Sequence, residues 1–318
     1  MPFRAANSDI LTQLRSVHWR LIAAIGSTGQ LQAAAQMCNM TQPAASRMLA
    51  EIERTVAVRL FDRGPKGMTA TDEGDLLIQR ARILLQDISD TSRALSELRE
   101  GRGGTIRVGA VTGASVGYLV PAIRKLRAVT TNVEITVDVA PSSSLALDLA
   151  SGQLDLAISR IPADVDRSAF DLAPGKTEKI VLMVRKEHPL LRAKSVGLPD
   201  LLGYEWVMQA RGNPIREAID SAFADRSLRS PANVINSSSL LVTIALLSRT
   251  DAIAPMSTEL DDLLTNQPVA AGFAALRLET EIVVPPYYVL TQANRFISPA
   301  TQRLRALILA EIAASRTD

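Results

Sequence analysis

The chain has 318 residues, of which 47% are hydrophobic, enough to bury the cores of two or more domains. Its formal net charge of +2 gives the whole chain no strong electrostatic signature, and an aromatic content of 4% argues against a surface that stacks many exposed bases. The single cysteine, Cys38, excludes an intrachain disulfide and a cysteine metal cluster, which favours a reducing compartment.

The N-terminal residues contain no apolar run typical of a signal peptide, and no stretch of the chain reaches about 18 uninterrupted apolar residues. We therefore predict a protein of the cytoplasm, without a membrane span or membrane partner.

Charge is unevenly distributed over the first hundred residues. Residues 1–70 carry eight basic and four acidic side chains, a local net of +4, whereas residues 71–100 carry four basic and seven acidic ones, a net of −3. A basic head followed by an acidic segment suits a polyanionic partner for the head.

The head begins with a pattern of short helices. Apolar residues recur at helical spacing from Leu14 to Ile25, and the run from Gly26 to Gly29 is expected to end this first helix. A second helix is predicted over residues 31–37, where three consecutive alanines allow close contact with a neighbour. A turn at residues 38–40 follows.

The segment MTQPAASRMLAEIER, residues 40–54, predicts a third helix. Thr41 is expected to cap it through its hydroxyl, and Pro43 fits the first turn, where its missing N–H costs nothing. One face of this helix carries small or apolar side chains, and another carries polar ones: Ala45, Leu49 and Ile52 on the first, Gln42, Pro43, Ser46 and Arg47 on the second.

Two helices joined by a turn of three or four residues present the second helix to the major groove of DNA. Gln42 and Arg47 can bond base edges bidentately, and the hydroxyls of Thr41 and Ser46 can reach phosphates or bases. Periodicity alone leaves an ordinary helical bundle equally open.

A β wing is predicted after the third helix. Two short extended pieces flank Gly-Pro-Lys-Gly at residues 64–67. This geometry would place Arg63 and Lys66 against the DNA backbone or in the minor groove.

A long helix is predicted from Thr71 to about residue 100. Thr71 is a good N-cap, and the acidic residues of the first turn complement the helix dipole. Apolar positions alternate at spacings of four and three, which predicts a dimerising seam; its candidate contact residues are Leu77, Leu84, Ile88 and Leu95. The alternative is a helix packed on its own domain. Residues 101–104, Gly-Arg-Gly-Gly, indicate a hinge.

Beyond residue 104 the pattern changes to strands alternating with helices. This alternation predicts a largely parallel sheet covered on both faces, over more than 200 residues and therefore enough for two lobes.

Four strand-to-helix turns in this part carry small or polar residues whose free N–H groups could bind an anion or a polar ligand. Each could equally be a plain N-cap, but together they favour a cleft beyond the carboxyl ends of the strands. The candidate ligand-binding residues are Thr112, Ser115, Ser143, Ser144, Arg211, Asn213 and Ser238. Arg211 is the charged member and could pair with a carboxylate.

The head resembles the winged helix-turn-helix of LysR-type transcriptional regulators. That family shows an alanine pair in the second helix, a Ser/Thr-Gln-Pro-Ala-x-Ser-Arg start to the recognition helix, and then Leu-Glu, Leu-Phe-Arg and Thr-x-x-Gly. The matching residues here are Ala33-Ala34, Thr41-Gln42-Pro43-Ala44-Ala45-Ser46-Arg47, Ile52-Glu53, Leu60-Phe61-Asp62-Arg63 and Thr71-Asp72-Glu73-Gly74.

The resemblance implies an α/β multidomain chain with three parts. These are a DNA-binding head over 1–70, a linker helix and hinge over 71–103, and an effector domain over 104–318. The last is expected to have the fold of type II periplasmic binding proteins, with lobe I at about 104–160 and 281–318 and lobe II at about 161–280. The implied partners are double-stranded promoter DNA, a small-molecule effector and a second copy of the chain, as a dimer or a dimer of dimers. No cofactor or metal is expected.

Three departures from the family pattern bear on DNA contacts. Gln30 and Gln32 replace the usual hydroxyl residues near the start of the second helix, and Gln32 becomes a candidate DNA contact itself. Ala57 replaces a glycine after the recognition helix, and Ala50 replaces a side chain that is often polar.

The effector is left open between a sugar and a small organic acid. The stretch from Val17 to Leu49 is similar to the branch that regulates sugar-binding-protein and sugar-uptake genes, but aromatic and hydroxy carboxylates remain equally possible. Serine-rich turns and one arginine do not separate these classes.

Two other functions compete with regulation. An enzyme would need a nucleophile–base set or a metal cluster, but the sequence has two histidines, His18 and His188, and no phosphate-binding glycine loop. A cytoplasmic small-molecule-binding protein of the solute-binding fold would account for the C-terminal part alone and leave the head unexplained.

Overall fold

A computed structural model describes residues 10–315 except 66, 101–103, 131, 164, 267–271 and 294, and within the long helix it omits the side chains of 93, 94 and 96–100. The chain divides into two compact units, Met1–Arg102 and Gly103–Asp318.

The N-terminal unit is a winged helical head followed by a long helix. Its elements in chain order are α1 (Ser16–Thr28), α2 (Leu31–Met37), α3 (Gln42–Val56), β1 (Phe61–Gly64), β2 (Gly67–Ala70) and α4 (Asp72–Glu100), preceded by a 3₁₀ turn at Ile10–Gln13.

The core of the head forms where α1, α2 and α3 meet. Ala45, Leu49 and Ile52 of α3 are all buried there, as the helical wheel predicted. The predicted end of α1 is wrong: the helix continues through Gly26 to Thr28 and ends at Gly29, whose φ of 63° is left-handed. Gly26 stays helical because α4 packs directly on it, so that an added Cβ would lie 2.7 Å from Ile78.

The residue that ends α3 is strained. Ala57 adopts φ 58°, ψ 23°, a left-handed conformation that glycine adopts at little cost and an L-residue with a Cβ does not.

Ala57→Gly is therefore expected to raise the free energy of unfolding of the N-terminal unit by about 1 kcal/mol, because it relieves the Cβ–carbonyl clash. Urea unfolding of the full chain, followed by far-UV circular dichroism, measures this change. The matched control is Ala50→Gly at an exposed, right-handed position of α3, which should lower the same quantity by about 0.5–1 kcal/mol. Equal effects of the two substitutions would contradict the assignment of strain to Ala57.

The long helix α4 packs on the head at its start and exposes apolar side chains further along. The Thr71 hydroxyl accepts a hydrogen bond of 3.0 Å from the Gly74 N–H, the predicted cap. Leu77 is buried in the core of the head, so its prediction as a dimer contact is wrong: α1 already covers it. Leu84, Ile88 and Leu95 are 41%, 54% and 58% exposed and form an apolar stripe along the rest of the helix.

The C-terminal unit contains the remaining strands and α-helices, besides short 3₁₀ turns at Arg167–Ala169, Pro189–Arg192 and Leu198–Leu201. They are β3 (Thr105–Ala110), α5 (Thr112–Ala114), a π-helical turn (Ser115–Leu119), α6 (Val120–Val129), β4 (Glu134–Val139), α7 (Ser142–Ala150), β5 (Leu156–Ser159), β6 (Phe170–Pro174), β7 (Glu178–Arg185), β8 (Trp206–Met208), α8 (Pro214–Ala224), β9 (Val234–Asn236), α9 (Leu240–Leu247), β10 (Ala254–Ser257), α10 (Thr258–Thr265), β11 (Phe273–Ala275), β12 (Ile282–Val284), β13 (Tyr288–Gln292) and α11 (Pro299–Ala314).

The strands form two main sheets, one in each lobe. The first has the order β4-β3-β5-β13-β6, with β3 parallel to β4 and β5 and with β13 antiparallel to β5 and β6. In the second, β7 pairs antiparallel with β10, β11 and β12, and β8 and β9 form a separate parallel pair. The expected largely parallel sheet is thus wrong in part, because β7 and β13, the two strands that follow the crossings between lobes, pair antiparallel with their neighbours.

The strand pairing also moves the lobe boundaries. Residues 170–174 pair with β13 in the first sheet, and residues 282–284 pair with β7 in the second. The chain therefore crosses between lobes at 174–178 and at 284–288, and the predicted divisions at 160/161 and 280/281 are wrong.

Among the residues that the structure describes, no helix combines the length and the apolar character needed to cross a membrane.

Candidate DNA-contacting surface and ligand cleft

The first turns of α3 present polar side chains to solvent. Gln42, Pro43 and Arg47 are exposed, and Ser46 is half-buried. Thr41 occupies the N-cap position, but its hydroxyl forms no capping bond, which corrects the predicted cap. Its backbone carbonyl still accepts the first helical hydrogen bond, from Ala45 N–H, and the exposed hydroxyl is left available for an outside partner.

The wing is tied to the recognition helix by side chains. Arg63 on β1 donates a hydrogen bond of 3.2 Å from Nη2 to Ser46 Oγ. Glu53 of α3 accepts hydrogen bonds from the Leu60 and Phe61 N–H groups, at 2.9 and 3.3 Å, and so holds the base of β1. These bonds place an arginine of the wing beside the first turns of α3.

The other predicted residues of the head are placed as follows. Gln32 is exposed on α2, and Lys66 lies outside the described residues. His18 is buried, and its Nδ1 accepts a hydrogen bond of 3.3 Å from the Arg15 backbone N–H; burial and the nearby Arg15 charge lower the pKa of this histidine. Cys38 is half-buried, and burial raises the pKa of its thiol, which disfavours a reactive thiolate.

The C-terminal unit has a cleft of about 540 Å³. Its wall includes the turn after β3 in the first lobe and the ends of β8, β9 and β10 in the second. The volume falls within the roughly 300–1,000 Å³ typical of small-molecule sites.

The cleft contains some of the sequence-predicted ligand residues and excludes others. Thr112, Asn213 and Ser238 line it. The remaining predictions do not hold: Ser115, Ser143, Ser144 and Arg211 lie outside its lining. Ser115 is buried behind the turn, the side chains at 143 and 144 point to solvent, and Arg211 lines a separate surface depression.

Several lining residues were not among the residues predicted from the sequence. Arg160 follows the buried strand β5, a position at a carboxyl end that could have been noticed; Glu178 and Ser257 sit at the ends of β7 and β10. Arg160 Nη2 donates to Glu178 Oε2 at 2.6 Å, and Arg160 Nε donates to the Pro285 carbonyl at 2.7 Å. Burial raises the pKa of Glu178, which Arg160 partly offsets.

The two crossing segments touch each other beside this ion pair. A Cβ at Gly175 would clash with the Tyr287 carbonyl, so the segments approach as closely as backbones allow. Tyr118 of the first lobe donates a hydrogen bond of 2.7 Å to Glu259 Oε1 of the second. Arg160 lies over the Tyr287 ring at 5.9 Å from its centroid. The charged groups of the cleft are therefore part of the joint between the lobes.

A winged helix-turn-helix joined to a two-lobed α/β unit with a ligand-sized cleft defines a class of ligand-responsive DNA-binding proteins. Comparison with known proteins identifies the family within this class. Residues 17–75 match the bacterial regulatory helix-turn-helix of the lysR family, and residues 99–313 match the LysR substrate binding domain. The chain belongs to the LysR family of transcriptional regulators.

Its relatives carry regulator names. The chain is 39% identical over 252 residues to the HTH-type transcriptional regulator GbpR of Rhizobium radiobacter, covering 79% of this chain and 83% of that protein. It is 28% identical over 306 residues to GbpR of Azospirillum brasilense, covering 96% and 89%. These relatives give no support to the alternative function, a small-molecule-binding protein without a role in transcription.

Solved structures share the fold. A full-length OxyR variant from Pseudomonas aeruginosa aligns with a TM-score of 0.61 at 17% identity, covering 94% of this chain and 95% of that one. Full-length CbnR complexed with its target DNA aligns with a TM-score of 0.62 at 17% identity, covering 94% and 100%.

Proposed function

We propose that this protein is a transcriptional regulator that reads promoter DNA with the first turns of α3 and the wing, under the control of a small molecule bound in the cleft. The observation that carries the DNA-reading surface is the placement of Arg47 and Gln42, exposed at the start of α3, beside a wing arginine fixed to Ser46. Because its partner is chromosomal DNA, we place its work in the cytoplasm.

The contacts are expected to be concentrated at the N-terminal end of α3. Arg47 can bond the O6 and N7 atoms of guanine bidentately, and Gln42 can do the same for adenine. Ala50, one turn further on, is exposed and offers no hydrogen bond. The hydroxyls of Thr41 and Ser46 and the guanidinium of Arg63 suit phosphate oxygens.

A dimer would present two such helices to two half-sites. The exposed apolar stripe of Leu84, Ile88 and Leu95 on α4 suits the matching stripe of a second copy, and further pairing would give a dimer of dimers. The LysR relationship supports self-association.

Arg47→Ala is expected to lower the affinity for specific DNA by about 1–3 kcal/mol, because a bidentate base contact is lost. Gel-shift titration measures this with two probes: a fragment that the parent protein selects from a random pool, and unselected DNA of equal length. The loss should appear with the selected fragment and nearly vanish with the unselected one.

The matched control is Arg54→Ala, an exposed arginine two turns further along α3. It should change both affinities by less than the Arg47 substitution does. An Arg47 variant that is folded and binds the selected fragment as tightly as the parent would remove the proposed reading surface.

A further inference from the structure

A depression on the surface of the second lobe lies beside the cleft. It has a volume of about 320 Å³ and is bounded by the turn before α8, by the first turn of α8 and by the segment that leads into β9. Its polar lining residues are Arg211, Arg216 and Asn236, and the others are alanine, proline and valine. Because the described lining contains two arginines and no acidic residue, the depression favours an anion.

The Arg216 side chain is buried in this depression but only partly paired. It is 4% exposed, and its Nε donates to Asp220 Oδ2 at 3.0 Å, one turn along α8. The other carboxylate oxygen, Asp220 Oδ1, has no hydrogen-bond partner among the described residues. No described residue bonds either Nη of Arg216, and neither Nη is sealed from solvent. A nearly buried arginine therefore keeps N–H donors free for a partner in the depression.

Arg211 supplies a second guanidinium at the rim. It lies in a turn that the Asn213 N–H closes by donating to the Ala210 carbonyl at 3.3 Å. The Asn213 side-chain amide donates to the same carbonyl at 3.1 Å. Arg211 is exposed, and its side chain has no ion pair or hydrogen bond within the part of the chain that the structure describes. The turn thus fixes the backbone of an uncommitted arginine at the edge of the depression.

The charges at the depression do not cancel. Asp220 offsets Arg216, but Arg211 has no counter-charge among the described residues. A phosphate group carries roughly −1.5 to −2 charges near neutral pH and has three strong acceptor oxygens, and guanidinium groups bind such oxygens bidentately. A single carboxylate has one negative charge and two oxygens, so it would leave more of these donors unsatisfied.

We propose that this depression binds a phosphate group, free or on a small metabolite, through the guanidinium groups of Arg211 and Arg216, with the amide of Asn236 as a further donor. The site lies outside the cleft, but Ala210 and Asn236 line both. A phosphate group bound there would lie next to a ligand in the cleft and would give the protein a second small-molecule partner.

The test uses the full-length protein and a set of small anions. Inorganic phosphate, glycerol 3-phosphate and sulfate are compared with succinate, acetate and sodium chloride at equal ionic strength, by thermal shift and isothermal titration calorimetry. Phosphate is expected to bind saturably, to raise the Tm above the value in sodium chloride, and to bind at least tenfold more tightly than acetate. Tighter binding of glycerol 3-phosphate than of inorganic phosphate would support a phosphate ester as the ligand, and the reverse order would support the free ion.

Substitutions of the two arginines test their roles. Arg211→Ala should weaken phosphate binding by about tenfold or more, the value of one charge-assisted hydrogen bond, and should leave the Tm of the ligand-free protein unchanged because its side chain is exposed and unpaired. Arg216→Lys keeps the charge but loses the planar fork, and should weaken binding by a similar factor. The exposed Arg211 decides the question even if Arg216→Lys folds poorly. The matched control is Arg249→Ala, an exposed arginine of the same lobe outside the depression, which should bind phosphate as the parent does.

The DNA-binding head also carries arginines that suit phosphate oxygens, so Arg47→Ala is measured alongside. Phosphate binding should survive this substitution. Loss of binding in Arg47→Ala together with parental binding in Arg211→Ala would place the phosphate on the head and overturn the assignment. The assignment would equally be overturned if phosphate, glycerol 3-phosphate and sulfate had no saturable effect beyond that of sodium chloride, or if succinate or acetate bound more tightly than phosphate.

Discussion

Ile88→Lys is expected to convert the protein from a dimer to a monomer and to lower its affinity for an operator with two half-sites by about a hundredfold or more. Ile88 lies 54% exposed in the middle of the apolar stripe of α4, between Leu84 and Leu95. In a dimer these side chains would be buried against their counterparts, and a lysine there would bring two ammonium groups into an apolar seam.

The loss of DNA affinity follows from the loss of the link between two reading heads. With one head bound, the second binds at a high effective concentration; separate monomers lose that advantage although every base contact remains. Sedimentation velocity measures the mass, and gel-shift titration on the selected fragment measures the affinity.

Gln79→Lys provides the matched control for Ile88→Lys. Gln79 is exposed on the same helix, on the side opposite the stripe, and the substitution adds the same charge. It should leave the dimer intact. A dimer that survives Ile88→Lys would show that the stripe is covered by something other than a second copy.

Arg160→Met is expected to lower the free energy of unfolding of the C-terminal unit by about 3–5 kcal/mol at neutral pH, because it leaves the carboxylate of Glu178 buried without its counter-charge. The Arg160 side chain is 12% exposed and that of Glu178 3%, so solvent screens neither group strongly. Urea unfolding of the full chain measures the change.

The pair Lys179–Glu281 offers the control for this prediction. Its ion pair is of similar length, 2.7 Å, but both side chains are well exposed. Lys179→Met should therefore change the free energy of unfolding by less than about 1 kcal/mol. If Arg160→Met and Lys179→Met lowered the free energy of unfolding by similar amounts, burial of the ion pair would not be the cause of the loss.

The effect of Arg160→Met should also depend on pH. Burial already raises the pKa of Glu178 in the parent, and loss of Arg160, which opposes that shift, raises it further. The folded variant then binds a proton at Glu178 at pH values where the unfolded chain does not, so the contribution of Glu178 to the stability of the variant is most favourable at low pH and is lost as pH rises through the folded pKa. The difference in free energy of unfolding between variant and parent should therefore shrink as the pH is lowered from 8 to 5.

The pH dependence that His188 gives to the free energy of unfolding has the opposite sign to that of Glu178. It is the same in the parent and the variant, so it cancels in the difference between them. Burial lowers its pKa, and its Nδ1 accepts a hydrogen bond from Leu190 N–H, so its contribution is lost as pH falls below the unfolded value near 6.5. Because parent and variant both contain it, the difference between them reports on Glu178.

The head is the part that the sequence predicted best. The third helix, the burial of Ala45, Leu49 and Ile52, the wing and the Thr71 cap all follow from spacing and local chemistry, and the structure contains each of them. These features depend on residues within a few turns of one another, which periodicity and capping rules describe.

The long helix shows where periodicity alone fails. Leu77 and Ile88 occupy the same stripe in the sequence, yet one is buried in the head and the other is exposed. The difference arises because α1 packs against the first turns of α4 through Gly26, a contact between segments some fifty residues apart that no heptad pattern encodes.

The amino-acid sequence by itself determined the family, the winged head and the presence of an α/β unit, because motif residues and hydrophobic spacing act locally. Tertiary structure decided which polar residues share the cleft. Thr112 enters it while Ser143 and Ser144 do not, and Arg160, Glu178 and Ser257 form its charged and polar end. Arg160 follows β5, Glu178 begins β7 and Ser257 ends β10, and only sheet register and the crossing of the chain between lobes bring these three together.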